Sequence, residues 1–65
     1  MSEQEVERLQ KRIADALSAV DHVWNVLHQK RDDDGRYIYR ATYRKANFVK
    51  KELIELSELL DWETT

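Results

Sequence analysis

Sixty-five residues, a formal net charge of −2, no cysteine and no proline exclude a large hydrophobic core, a disulfide framework and any thiolate metal centre. A chain this short buries a smaller fraction of its surface than a larger domain does, so added stabilisation is expected, and with disulfides gone self-association is its favoured source. No apolar run approaches the length of a membrane span, and Met1-Ser2-Glu3-Gln4-Glu5 lacks the basic and apolar regions of a signal peptide. The expectation is one soluble, cytoplasmic domain.

The small net charge conceals a polarised chain. Residues 1–29 carry five acids and three bases, residues 30–51 three acids and eight bases, and residues 52–65 five acids alone. Helix electrostatics account for acids near the first helix's start but not for Glu58, Asp61 and Glu63 near the second helix's end, where the macrodipole disfavours them. An antiparallel arrangement would set those acids beside Arg8, Lys11 and Arg12.

In chain order, Ser2 followed by Glu5 resembles a capping box that opens the first helix. Val6, Leu9, Ile13, Ala16, Val20, Val23 and Leu27 then recur at alternating spacings of three and four, forming a seam on one side of that helix. Leu17 and Trp24 widen the seam beyond what a two-stranded coiled coil uses. Gly35 is the only glycine, so Arg31-Asp32-Asp33-Asp34-Gly35 is the one strong turn signal. One of the three aspartates is expected to cap the second helix, along which Tyr39, Thr42, Ala46, Val49, Leu53, Leu56 and Leu60 repeat the alternation.

These patterns predict an all-α antiparallel helical hairpin in a single domain over residues 1–65, with helix 3–31, turn 32–35 and helix 34–62. Folding back on Gly35 sets Leu27 near Tyr39, Trp24 near Tyr43, Val20 near Ala46, Ile13 near Leu53 and Val6 near Leu60. Two helices cannot cover a stripe this wide, so hairpins are expected to associate into a four-helix bundle or a larger homo-oligomer.

A rival reading gives α-β-hairpin-α. Arg36 to Arg44 also alternates with period two and is rich in aromatic and β-branched residues, and Val23 to Gln29 could pair with it across the Asp-Gly turn. In that form the Asp34-Gly35-Arg36 turn, leading into a helix, is similar to small phage head–tail joining proteins of the lambda W type over about half the chain. The resemblance implies a helix, hairpin, helix order. The unbroken seam through Val20, Val23 and Leu27 favours helix.

The stretch from Arg36 to Lys51 concentrates the chemistry. On a helix, Arg36, Arg40 and Arg44 stack at four-residue spacing, continued by Asn47 and Lys51, and bordered by Tyr37, Tyr43 and Phe48. Arginine offers bidentate donors to phosphate oxygens, and aromatic rings offer stacking surface for bases. A nucleotide or short nucleic acid held by Arg36, Tyr37, Arg40, Tyr43, Arg44, Phe48 and Lys51 is therefore expected; the bland alternative is a solvated face paired with Asp32, Asp33 and Glu58. Overall acidity argues against a broad duplex-DNA footprint. A second surface, with Tyr37, Ala41, Phe48, Leu59 and Trp62 away from the seam, suggests a protein contact carried by Phe48, Leu59 and Trp62.

Catalysis is not expected, because no acid–base pair converges and Ser2, Ser18 and Ser57 lie in no triad context. His22 and His28, six apart, do not form the i, i+4 zinc pair and read as surface residues. The aspartate triplet lacks the spaced ligands of a calcium loop. No metal and no cofactor is expected.

Overall fold

The computed structural model describes residues 2–64 and contains two helices, α1 (Glu3–Gln29) and α2 (Arg40–Thr64), packed antiparallel along their lengths. The chain is thus an all-helical hairpin, with no strand among the described residues. Among the described residues no helix is long and apolar enough to cross a membrane.

Helix α1 starts as its sequence directs. Ser2 is extended, and its Oγ accepts the Glu5 N–H at 3.2 Å, with Glu3 and Glu5 in the first turn, where acids complement the macrodipole. The helix ends at Gln29, and the Lys30 N–H folds back onto the Leu27 carbonyl.

The connection differs from the expected four-residue turn. It runs from residue 30 to residue 39, and α2 begins at Arg40 rather than near residue 34. The cause is Asp32, whose Oδ1 accepts the backbone N–H groups of Asp34 and Arg36, both at 2.9 Å. A short polar side chain that binds nearby N–H groups competes directly with helix formation. Gly35 follows with φ +80, a left-handed conformation that suits glycine and stops a helix. The Ile38 N–H then reaches the Lys30 carbonyl at 3.1 Å, and Arg31 and Tyr37 form one isolated antiparallel bridge.

That bridge is all that forms of the alternative β-hairpin. Val23–Gln29 and residues 40–44 are helical, so the helix, hairpin, helix order on which the phage-protein resemblance rested is absent. No aspartate caps α2: its first turn holds no acid, and the Tyr43 N–H bonds to the Tyr39 carbonyl at 2.8 Å.

The register of the hairpin follows the seams. Trp24 meets Tyr43 with ring centroids 5.7 Å apart, Val20 and Ala46 border one surface depression, and Ile13 borders another with Leu53 and Leu60. The contact is rotated about each helix axis relative to the predicted seam, however. Half-buried positions are Val6, Gln10, Ile13, Leu17, Val20, Asp21, Trp24, Leu27 and His28 in α1 and Tyr43, Ala46, Asn47, Lys50, Leu53 and Ser57 in α2. Leu9, Ala16, Val23, Thr42, Val49 and Leu56 remain exposed, as does Tyr39 just ahead of α2. The apolar stripe is wider than one helix–helix contact, so one partner covers only part of it.

Leu60, at 7% exposure, is the buried core residue among those described. The hairpin measures 52 × 16 × 13 Å with a radius of gyration of 15.2 Å, against about 11 Å for a compact domain of this length. Its accessible surface is 5579 Å², where a compact monomer of this mass exposes about 4,400 Å².

Candidate functional site at the turn end

The turn end gathers the basic residues singled out from the sequence, but in a different arrangement. Arg40 and Arg44 occupy successive turns of α2, four residues apart on one face. Arg36 lies in the loop instead, its backbone N–H held by Asp32, so the three-arginine helical stack does not form. Lys51 sits seven residues beyond Arg44 on α2, about 10 Å further along the axis. All four cations are exposed. Among the described residues none of them joins an ion pair, and the Asp32 carboxylate serves the loop backbone.

The start of α2 is electrostatically unusual. Its N–H groups before Tyr43 lack intrahelical acceptors, as at any helix start, and the macrodipole places partial positive charge there. Acids normally occupy this position; here Arg40 opens the helix and no acid follows in the first turn. Arg36 and Arg44 add further positive charge. Such an end is complementary to an anion.

Tyr37 and Tyr43 are engaged elsewhere. Their rings stack with centroids 4.3 Å apart and planes at 14°. The Arg31 guanidinium lies 4.5 Å from the Tyr37 ring centre and also donates to the Tyr37 hydroxyl at 3.1 Å. The faces of Tyr37 are thus taken up within the fold, and the pair closes the loop onto the helices. Tyr43 is pushed above its ordinary pKa, chiefly by hydrogen bonding with the Tyr37 hydroxyl and then by burial. Trp24 and the Arg31 charge act in the opposite direction.

His28 completes the column. It stacks on Trp24 with centroids 4.9 Å apart, lies 5.6 Å from Tyr37, and its Nδ1 is 3.1 Å from the Tyr37 hydroxyl. The expectation of a surface histidine fails for this residue, whereas His22 is exposed. The signal was present in the sequence: His28 is four residues from Trp24 and shares its helix face. Below the column, Lys50 Nζ sits 2.6 Å from Asp21 Oδ1 and 4.4 Å from the Trp24 ring centre. Trp24 Nε1 is buried and among the described residues meets no partner in hydrogen-bonding geometry.

Phe48, Leu59 and Trp62 project from the side of α2 away from α1, at 64%, 52% and 79% exposure. Phe48 follows Arg44 by four residues and flanks it on the same side. Among the described residues no cluster of His, Asp and Glu is arranged to hold a metal ion.

No family model, curated protein or solved structure matches this chain.

Proposed function

We propose that this chain is a small, self-associating, non-catalytic binding protein that holds a phosphate-bearing anion, a nucleotide or short nucleic acid, at the start of α2. The observation that carries the reading is a helix N-terminus with no acid in its first turn and with Arg36, Arg40 and Arg44 before, at and just after it, none of them neutralised by an ion pair among the described residues. Unfulfilled N–H groups, the dipole and guanidinium forks all favour phosphate oxygens at that point. Lys51 and Phe48 extend the same side of α2 and suit a ligand longer than one phosphate. Tyr37 and Tyr43 act in this reading by fixing the loop that carries Arg36.

The test is thermal unfolding, followed by tryptophan fluorescence, against mononucleotides, cyclic nucleotides, single-stranded and duplex nucleic acid at two salt concentrations. A ligand at one hundred times its Kd adds about 2.7 kcal/mol to the native state, and a steep salt dependence marks multi-phosphate ligands. Arg40→Glu is expected to remove the shift while preserving helix content; unchanged affinity in that variant sinks the assignment.

A second reading, a protein adaptor or inhibitor, draws on the exposure of Phe48, Leu59 and Trp62. Large apolar anchors on a helix face are the residue type that carries protein contacts. It predicts no response to any phosphate ligand and a partner lost on Trp62→Ala but retained in Arg40→Glu.

A further inference from the structure

The side of the α1–α2 contact lined by Leu9, Ala16, Val23, Thr42, Val49 and Leu56 is exposed along most of the hairpin. We propose that a second copy of this chain covers it in antiparallel orientation, with its turn end beside the open end of the first copy and with Lys45 of each copy facing Glu52 of the other. The inference rests on the self-association proposed above and adds the face and the orientation.

Area argues first. The hairpin's surface of 5579 Å² exceeds that of a compact monomer of its mass by about 1,200 Å². A standard stable interface takes about 800 Å² from each partner, so one copy has enough surplus surface to form one.

The spacing of the exposed residues argues next. Leu9, Ala16 and Val23 lie seven apart on α1, and Thr42, Val49 and Leu56 seven apart on α2. Ala16 and Val49 stand at one height, between the level of Val20 and Ala46 and that of Ile13 and Leu53. A two-fold axis across the hairpin at that height sets Leu9 against Val23 of the other copy, Thr42 against Leu56, and Ala16 and Val49 against their own equivalents. Small Ala16 allows the two α1 helices to approach closely.

A two-fold along the hairpin would match apolar residues equally well, and charge decides between them. Residues 17–51, the turn half, carry eight bases and four acids, whereas residues 1–16 and 52–65 carry three bases and nine acids. The antiparallel pairing brings each basic half onto an acidic half; the parallel one brings like onto like. Lys45 borders the apolar depression at its turn end, and Glu52 is two helical turns further along the same α2 edge. Across the antiparallel axis Lys45 of one copy lies within one residue of the height of Glu52 of the other.

Sedimentation equilibrium on the full chain tests this. The wild type is expected to associate, and Val49→Glu, at a position 40% exposed in the single hairpin, to weaken association at least ~100-fold by burying a charge at the axis. Lys45→Glu and Glu52→Lys are each expected to weaken it about tenfold, and the double swap to restore it. Circular dichroism of each variant checks that the helices persist. A wild type that stays monomeric overturns both self-association and this inference. Association indifferent to Val49→Glu overturns the face alone. Rescue by Arg12→Glu with Glu52→Arg, in place of the Lys45/Glu52 swap, overturns the orientation, because those two residues meet in the parallel form.

Discussion

The two sides of the α1–α2 contact use the same pair of helices and end in opposite states. On one side specific partners close the contact at three levels: Gln10 Nε2 donates to Asp61 at 2.7 Å, Lys50 bridges Asp21 and the Trp24 ring, and His28, Tyr37 and Tyr43 stack above them. On the other side valine, leucine and alanine are left exposed, Val23 at 48% and Leu56 at 49%. Polar and aromatic groups have directional partners, so they fix which way the hairpin closes. Aliphatic groups are satisfied by any apolar cover, and the single chain has too few helices to supply it.

Matched truncations on the two sides give the sharpest test of that contrast. Trp24→Ala removes the ring at the centre of the closed side and is expected to cost about 3 kcal/mol, read as a fall in urea midpoint at fixed protein concentration. Val49→Ala on the open side is expected to cost about 0.5 kcal/mol in dilute solution and progressively more as concentration rises, since a cover that binds only the folded chain adds stability by mass action. Equal costs at high dilution would erase the distinction between the sides.

A smaller effect is expected at Lys50, whose ammonium serves both Asp21 and the face of Trp24. Lys50→Met keeps the packing of the stem while removing the charge, at an expected cost of about 1 kcal/mol. Most of that loss should persist in high salt if the contact with the ring dominates, and vanish if the ion pair does.

The smallest expected effect concerns alkaline pH. The Tyr43 phenol holds its proton more tightly when folded than at its ordinary value of 10.0. Its contribution is therefore fully present below that value and is lost as pH climbs through the higher folded one. Denaturant midpoints measured from pH 8 upward should fall beyond pH 10, and fall less in Tyr43→Phe. A stability that rises over the same range would contradict the sign.

Much of the architecture was legible because apolar spacing reports helix faces whatever they pack against. The pairing of Trp24 with Tyr43, and the levels of Val20 with Ala46 and Ile13 with Leu53, followed from folding the two seams on Gly35. Rotation of the contact was not legible: a stripe of three-and-four spacings does not say which part a single partner takes, and nothing in the polar side chains of Gln10, Asn47, Lys50 and Ser57 marks them as half-buried. The start of α2 was hidden for a different reason. Tyr39 continues the helical spacing by coincidence, while the Asp32 carboxylate that holds residues 34 and 36 out of the helix looked equally suited to capping it. That misplacement carried Arg36 and Tyr37 onto a helix face, and so drew the candidate site as one stack of arginines bordered by rings.

The molecule also carries its own optical labels. Trp24, against His28, Tyr43 and the Lys50 ammonium near the turn end, and Trp62, 79% exposed near the open end, report from opposite poles. Trp62, one residue from Asp61 and Glu63, is expected to favour collision with a cationic quencher such as caesium over iodide and to emit near indole in water. Emission from half-buried Trp24 is expected to lie to the blue of it and to be less accessible to both ions. Colour and quencher charge together thus resolve events at the arginine-rich turn from events at the acidic termini, with no dye attached.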